Sequence, residues 1–244
     1  RLECRGYDSS GIVTLSPERN QLQVIKSVGK VAELINATKS KKVTGRIGLA
    51  HTRWATHGKP TKANAHPHIS RNEIAVVHNG IIENHETFRS GLKKKGYKFS
   101  SDTDTEIIAH AIHCYRSQHK SSLLQAVKGI IKDLHGAYGL CVFDKSNPNQ
   151  IIAARSGSPL IIGVGIGENF IASDPAALGQ VTDRFIYLEE GDVASITLDD
   201  VSIWHKARRV RRAITTIPRN DVGYDKGKFQ HFMLKEIYEQ PKSI

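Results

Sequence analysis

Apolar residues alternate with polar ones, or form short runs between turn residues, at four places in the first third of the chain. This pattern is typical of strands, and it predicts them at residues 11–15, 22–27, 46–51 and 73–78. The apolar spacing then changes to three and four residues, which is the helical period. Helices are therefore predicted at residues 84–97, 105–117 and 121–135.

The second half of the chain returns to strand-like patterns. Six further strands are predicted at residues 137–143, 150–154, 160–165, 169–172, 184–188 and 193–197. Charged residues, Pro218 and glycines weaken the pattern over residues 208–228, which predicts a connecting segment there. Many strands with the helices grouped in the middle favour an α+β fold, in which helices pack in layers on the faces of sheets.

Composition and charge narrow the possible classes of function. The chain has 244 residues, 39% of them hydrophobic and 24% charged, as in ordinary globular proteins. No apolar run approaches the roughly 18 residues of a membrane span. The net charge is +11, but the basic runs at 41–42, 93–95 and 208–212 lie far apart and lack the interleaved aromatic residues that stack on bases. We therefore predict neither a membrane span nor a nucleic-acid partner.

The number and spacing of the cysteines indicate whether the protein works in an oxidising or a reducing compartment. The three cysteines, Cys4, Cys114 and Cys141, are an odd number and show no Cys-x-x-Cys spacing. Neither a disulfide framework nor a cysteine zinc site is therefore indicated, and a reducing cytoplasm fits best.

The first polar cluster follows a predicted strand and reads Gly48-Leu-Ala-His-Thr-Arg-Trp-Ala-Thr-His-Gly58. The guanidinium of Arg53 is a planar fork that can hold a carboxylate through two parallel hydrogen bonds. The indole of Trp54 can form a wall that excludes water. When Arg53 is considered alone, a structural ion pair at a strand end explains it more simply, so both interpretations remain open.

The second cluster, Val76-Val-His-Asn-Gly-Ile-Ile-Glu-Asn84, places Asn-Gly between apolar residues. Such a pair is the strongest short signal for a β-hairpin, because both residues tolerate positive φ. The same two residues could instead place the side-chain amide of Asn79 beside the backbone N–H of Gly80. Two donors that converge in this way stabilise a developing oxyanion. The sequence leaves a hairpin and an oxyanion site as alternatives.

The third cluster, Ser101-Asp-Thr-Asp-Thr-Glu106, opens a predicted helix. Thr103 and Glu106 match a capping box, so the acidic residues here could simply stabilise the helix N-terminus. Alternatively, Asp104 is held on the first turn and receives the ammonium group of a ligand. Together with a carboxylate-binding Arg53, it would select a zwitterionic amino acid.

Other chemistries have weaker support in the sequence. His57, His66 and His68 lie in one loop, but no His-Glu-x-x-His motif and no cysteine partner accompany them, so we predict no metal site. The segment Arg155-Ser-Gly-Ser-Pro159 departs from the nucleophile elbow of serine hydrolases. No Gly-x-Gly-x-x-Gly follows a predicted strand and no Walker A motif is present, so we predict no nucleotide cofactor.

Taken together and in this order, the three clusters resemble the glutamine amidotransferase domain of the glutamine–fructose-6-phosphate aminotransferase family. Further motifs extend the resemblance over essentially the whole chain: Arg5-Gly-Tyr-Asp-Ser9, Asn64-Ala-His-Pro-His68, Ser156-Gly-Ser-Pro159, Glu189-Glu-Gly-Asp192 and His231-Phe-Met-Leu-Lys-Glu-Ile-Tyr-Glu-Gln-Pro241. The resemblance implies the N-terminal nucleophile hydrolase fold. That fold is a four-layer α+β sandwich, with two stacked, mainly antiparallel sheets between helical layers.

The resemblance also implies a role for each site residue. Arg53 would hold the α-carboxylate of glutamine and Asp104 its α-amino group. Asn79 and Gly80 would form the oxyanion hole. The loop that closes over glutamine would contain Trp54, Thr56, His57 and Gly58. Within that loop, Trp54 would shape the exit for ammonia.

The nucleophile of this family is a cysteine at the mature N-terminus, in a Cys-Gly-Ile-Val opening that this sequence does not contain. Cys4 does not match its position, and Cys114 and Cys141 lie within a predicted helix and a predicted strand. We therefore expect this chain to be the glutaminase piece of a longer protein, and to be inactive alone. Residues 1–215 would form the domain, and residues 216–244 a linker that leads to the isomerase half.

The resemblance implies that the longer protein uses glutamine and fructose 6-phosphate to make glucosamine 6-phosphate. We also expect it to be cytoplasmic and homo-oligomeric. A second hypothesis is a non-catalytic module that binds glutamine or docks a partner through its basic surface. Glutamine binding that depends on Arg53 and Asp104 without turnover would support such a module, whereas strongly salt-dependent binding to nucleic acid would support the basic surface.

Overall fold

The computed structural model describes residues 7–41, 43–56, 58–218 and Tyr238. Within these residues the α-helices are α1 Val31–Ser40, α2 His85–Lys94, α3 Asp104–His119 and α4 Leu123–Ile130. The strands are β1 Ser9–Ser16, β2 Gln21–Val28, β3 Gly48–Arg53, β4 His68–Ser70, β5 Ile74–Ile82, β6 Gly136–Asp144, β7 Asn147–Ser156, β8 Ile161–Val164, β9 Asn169–Ala172, β10 Arg184–Tyr187, β11 Asp192–Ile196, β12 Val201–His205, β13 Arg208–Val210 and β14 Ile214–Thr216. A short 3₁₀ turn, Pro175–Ala177, separates β9 from β10.

The strands form three sheets. The largest has seven strands in the order β13-β12-β11-β7-β6-β5-β4. A three-stranded sheet has the order β2-β1-β3, and a four-stranded sheet has the order β14-β10-β8-β9. All the strand pairs among the described residues are antiparallel.

Strand β5 shows how the layers are built. Successive side chains of a strand point to opposite faces of the sheet. Ile74 and Val76 face a core that they share with helices α2, α3 and α4, whereas Ala75 and Val77 face a core that they share with the two smaller sheets. Both faces of β5 are therefore buried, and this explains why its apolar residues form a nearly continuous run rather than an alternation.

The seven-stranded sheet thus lies between a helical layer and a second layer of strands. That second layer contains both smaller sheets, which reach the shared core through Val13, Leu49, Ile162 and Ile186. Helix α1 packs against β1 and β2. The predicted α+β fold with stacked antiparallel sheets is confirmed, with the difference that the second layer consists of two hydrogen-bonded sheets in the described part of the chain.

Every strand and helix predicted from the pattern is present, with ends that differ by a few residues. The pattern missed α1, β4, β12, β13 and β14. The prediction that a connecting segment begins at residue 208 is wrong, because β13 pairs with β12 and β14 pairs with β10. These short strands are held by backbone hydrogen bonds to a neighbour, and such bonds leave little trace in the apolar pattern.

Several predicted features lie outside the described residues. They are Cys4, His57 and most of the segment 216–244, which includes nearly all of the motif that begins at His231. None of the helices in the part of the chain that the structure describes is long and apolar enough to cross a membrane.

Candidate active site

A cavity of about 870 Å³ opens between the layers, and all three polar clusters reach it. Arg53 comes from the last position of β3, Asn79 and Gly80 from β5, and Asp104 from the first position of α3. The sequence separates these residues by up to 51 positions, yet the fold places them around one space. Cavities of this size are typical of small-molecule sites.

Arg53 is a buried cation at the cavity wall. Its Nη2 donates a hydrogen bond to the carbonyl oxygen of Gly58 at 3.2 Å, and its Nη1 lies 3.9 Å from a carboxylate oxygen of Asp8. Burial lowers the pKa of the Arg53 guanidinium, while the carboxylates of Asp8 and Asp104 raise it. The ion pair at the strand end is therefore real, and it holds a guanidinium that also lines the cavity.

Asp8 organises the chain around Arg53. Its backbone N–H donates to the carbonyl oxygen of Arg53 at 2.9 Å, and its carboxylate accepts a hydrogen bond from the backbone N–H of Ala55. Asp8 belongs to a motif quoted above, but the sequence indicated no function for it. Its position beside Arg53 arises only when β1 pairs with β3.

Asp104 is also buried, and its carboxylate is held by the backbone of a neighbouring strand. Its Oδ2 accepts a hydrogen bond from the N–H of Ile82 at 2.8 Å and lies 3.9 Å from Nδ1 of His78. Thr103 caps the helix by accepting from the N–H of Glu106. The reciprocal arm of the predicted capping box is not formed, because the Glu106 carboxylate accepts from Ser100 and Ser101 instead.

Asn79 and Gly80 do not form a hairpin turn, so that interpretation of Asn-Gly is wrong. They lie inside β5, which continues to Ile82 and pairs with β6 along its whole length. Gly80 has a φ of +123°, and a Cβ atom at this position would lie 2.0 Å from the carbonyl oxygen of Ala137. Glycine is therefore required here by a close backbone approach within a strand rather than by a chain reversal.

The loop after β3 forms the mouth of the cavity. Trp54 is 71% exposed, and both Trp54 and Thr56 line the opening. Gly58, at a φ of +79°, accepts the Arg53 hydrogen bond described above. Asn64 ties the following segment to the start of α3, because its amide donates to Lys59 and accepts from the N–H of Asp102 at 3.0 Å.

Four histidines lie beneath these residues: His66, His68 and His78 are buried, and His51 is half-buried. The rings of His51 and His66 stack with centroids 4.2 Å apart. His66 and His78 each lie 3.1 Å from the hydroxyl of Thr105, and His68 lies 3.0 Å from that of Thr103. Burial lowers the pKa of all four imidazoles. No group of three metal-binding side chains occurs among the residues that the structure describes.

Comparison with known proteins identifies the family. The model of a glutamine amidotransferase domain matches residues 51–180, which is more than half of the chain. The chain belongs to the glutamine amidotransferase domain family. The matched residues contain the first polar cluster from His51 onwards, the whole of the second and third clusters, and the histidines beneath them.

Curated relatives match the chain over its whole length. The chain is 54% identical over 245 residues to a glutamine–fructose-6-phosphate aminotransferase (isomerizing) of Pseudomonas aeruginosa, and 54% identical over 247 residues to that of Buchnera aphidicola. Each match covers 100% of this chain and 40% of the relative. The chain therefore spans about two fifths of the length of these curated relatives.

Solved structures confirm the fold. A glutamine phosphoribosylpyrophosphate amidotransferase from B. subtilis, solved with ADP and GMP, matches with a TM-score of 0.69 and 26% identity. That match covers 84% of this chain and 44% of the solved chain. A second structure, described as the allosteric regulatory enzyme of purine biosynthesis, matches with the same TM-score, the same coverage and 28% identity. The predicted N-terminal nucleophile hydrolase sandwich is confirmed by these amidotransferases.

Cys141 of this amidotransferase domain also lines the cavity, but its environment suppresses thiol chemistry. It is buried in β6, and burial raises its pKa to about 12. The nucleophilic form of cysteine is the thiolate, so this thiol is protonated and unreactive at neutral pH. Cys114, in helix α3, is buried as well.

Two further motifs of the amidotransferase domain meet beside Gly80. The carboxylate of Glu190 accepts hydrogen bonds from the N–H of Gly157 at 2.9 Å and from the hydroxyl of Ser156 at 2.7 Å. The hydroxyl oxygen of Ser158 would lie 3.1 Å from a Cβ atom added at Gly80. A loop that follows β7 is thus held against the strand that presents the Asn-Gly pair.

The basic run 208–212 is partly neutralised by carboxylates. Arg212 donates hydrogen bonds to the fully buried Asp192 at 2.8 and 2.9 Å, and it lies 2.8 Å from Glu189. Arg209 lies 3.9 Å from Asp200. These pairs give Arg212 a structural role, because they tie β11 to the segment that follows β13.

Proposed function

We propose that this domain binds glutamine and releases its side-chain amide as ammonia. The observation that carries the proposal is the arrangement of Arg53, Asp104, Asn79 and Gly80 around one cavity. Two of these residues suit the charged end of an amino acid, and the other two suit an amide that becomes an oxyanion. The chemistry of glutamine matches both requirements.

Arg53 and Asp104 would recognise the zwitterionic end of glutamine. Both side chains are buried and line the cavity. The guanidinium fork suits the α-carboxylate, and the Asp104 carboxylate suits the α-ammonium group. A ligand that lacks either charged group would make only one of these two contacts, which favours an amino acid.

Asn79 and Gly80 would stabilise the tetrahedral intermediate of amide hydrolysis. An amide N–H₂ and a backbone N–H donate to an oxyanion more strongly than to a carbonyl oxygen, so they lower the barrier. The loop with Trp54, Thr56, His57 and Gly58 would close over glutamine, and Trp54 would shape the exit for ammonia. The exposed indole at the mouth of the cavity supports this role.

The identity to aminotransferase relatives supports a specific acceptor for the ammonia. We propose that the full-length protein transfers it to fructose 6-phosphate and forms glucosamine 6-phosphate, with residues 1–215 as the glutaminase domain and residues 216–244 leading to the isomerase half. In this proposal the attacking group is the cysteine of the family's Cys-Gly-Ile-Val opening, which these 244 residues do not include. A cytoplasmic, homo-oligomeric protein is part of the same proposal, and light scattering of the full-length protein tests the oligomer.

Replacing Arg53 with lysine, or Asp104 with asparagine, is expected to raise the KM for glutamine by about 10- to 100-fold in the full-length protein. Lysine keeps the charge but loses the fork. Asparagine keeps an oxygen for the N–H of Ile82 but loses the charge that would bind the ammonium group. Release of glutamate from L-glutamine, measured over a range of concentrations, gives the KM.

The matched controls are Arg209→Lys and Asp200→Asn. These two residues form an exposed pair away from the cavity, so both substitutions are expected to leave the KM unchanged. An unchanged KM in Arg53→Lys and Asp104→Asn would contradict the assigned roles. Glutamine binding without any glutamate release by the full-length wild type would instead support the non-catalytic module.

A further inference from the structure

One half-buried imidazole contacts the amide that is proposed to stabilise the oxyanion. Nε2 of His51 lies 2.7 Å from Oδ1 of Asn79. We propose that His51 is a positioning residue, which holds the Asn79 amide with its oxygen towards the imidazole and its N–H₂ towards the cavity. This inference rests on the proposed glutaminase function and adds to it a residue that acts through Asn79.

The direction in which the Asn79 amide points decides its effect on the reaction. The two ends of a side-chain amide have nearly the same shape but opposite hydrogen-bonding character. If the N–H₂ faces the cavity, it donates to the developing oxyanion. If the oxygen faces the cavity, its lone pairs repel that charge. Backbone pairing with Gly139 fixes the Cα of Asn79 but leaves this rotation of the amide free.

His51 can impose the productive direction because of its protonation state. It lies among other imidazoles and near Arg53, and its pKa is lowered to about 4 by burial. The ring is therefore neutral at neutral pH and has a single N–H. With the amide oxygen of Asn79 at 2.7 Å, that hydrogen lies on Nε2 and donates to the oxygen. The other nitrogen, Nδ1, is buried and has no hydrogen-bond partner among the described residues, as expected for the bare nitrogen.

The orientation of the His51 ring is itself fixed by packing. Its ring stacks on that of His66 at 4.2 Å, with an angle of 28° between the planes. His66 in turn lies 3.1 Å from the hydroxyl of Thr105, next to Asp104 on α3. The imidazole therefore cannot turn away without disturbing a packed neighbour. This chain of contacts also links the amide of Asn79 to the helix that presents the ammonium-binding carboxylate.

The test compares substitutions that keep or remove the donor, in the full-length protein with L-glutamine as substrate. His51→Leu removes the donor, and we expect kcat for glutamate release to fall by about 10- to 100-fold while KM changes by less than about threefold. His51→Gln places an amide N–H where Nε2 lay, so it should recover most of the lost rate. His51→Asn has an amide too short to reach Asn79 and should behave like His51→Leu.

A double-substitution cycle separates positioning from general destabilisation. If His51 acts through Asn79, His51→Leu should lower kcat very little in a protein that already carries Asn79→Ala. A purely structural role would lower kcat in both backgrounds. His135→Leu, at an exposed histidine away from the site, serves as the matched control and should leave both constants unchanged.

Three results would overturn the inference: an unchanged kcat in His51→Leu, a full additional loss in the double variant, or equal rates in His51→Gln and His51→Asn. The last comparison remains informative even if the leucine variant does not fold. Absence of glutaminase activity in the wild-type protein would contradict the proposed function itself, so the two failures are distinguishable.

Discussion

Replacing Gly80 with alanine is expected to lower the free energy of unfolding by about 3 kcal/mol or more. The added Cβ would lie 2.0 Å from the carbonyl oxygen of Ala137, which is backbone in the neighbouring strand β6. In addition, a φ of +123° is a conformation that side chains with a Cβ rarely adopt. Relief of this overlap requires β5 and β6 to separate, and that separation would also displace Asn79.

The matched control for this substitution is Gly91→Ala. Gly91 lies in α2, and no atom lies within 4 Å of where its Cβ would be. Alanine is the better helix former, so this substitution is expected to raise stability by about 0.5–1 kcal/mol. Urea unfolding followed by circular dichroism gives both values. Equal stabilities of the Gly80 variant and the wild type would show that β6 accommodates the methyl group, which would contradict the close approach.

Acidification from pH 6.5 towards pH 4.5 is expected to destabilise the domain steeply, because the buried His66, His68 and His78 and the half-buried His51 lie beneath the candidate site. Their pKa values are lowered in the folded chain, to about 4 for His51, whereas an unfolded histidine titrates near 6.5. Between these values the unfolded chain binds protons that the folded chain does not. The stabilisation is complete above the unfolded pKa and is lost as the pH falls, by about 1.4 kcal/mol per pH unit for each imidazole.

Some charges around this histidine cluster lower the pKa values of the imidazoles, and others raise them. Arg53 and the neighbouring imidazoles lower the pKa values further, while the carboxylate of Asp104 raises that of His78. Burial is the largest cause for all four histidines. Hydrogen bonds lower the pKa of the Glu106 and Asp192 carboxylates below their ordinary pKa values of 4.5 and 3.8. Protonation of these carboxylates therefore begins to destabilise the fold only when the pH falls below those values.

A histidine variant isolates one contribution to this pH dependence. His68→Gln replaces the imidazole near the hydroxyl of Thr103 with an amide, which does not titrate. It should therefore reduce the slope of unfolding free energy against pH by about 1.4 kcal/mol per pH unit. His135→Gln changes an exposed residue outside the histidine cluster and serves as the matched control. Urea unfolding at several pH values between 7 and 4.5 measures the slope. A flat curve over this range for the wild type would contradict the prediction.

The sequence by itself determined the classes of the main elements and indicated the residues of the candidate site. Apolar spacing decides whether one face of a segment can be buried. This local property was sufficient to predict strands such as β5 and β6 and helix α3. The hydroxyl of Thr103 caps α3 because a cap depends only on residues three positions apart. The polar clusters with Arg53, Asn79 and Asp104 were visible because each follows or opens such an element.

Only the tertiary structure decided which residues of these clusters come into contact and in which backbone conformation. Asn-Gly has the same local preference in a turn and in a strand, and the pairing of β5 with β6 made it a strand with a close backbone contact. Edge strands β13 and β14 exist because neighbouring strands offer backbone partners. Asp8 meets Ala55 across 47 positions, and His51 meets Asn79 across 28. Contacts over such distances depend on how sheets and helices pack, and no local pattern of side chains contains that information.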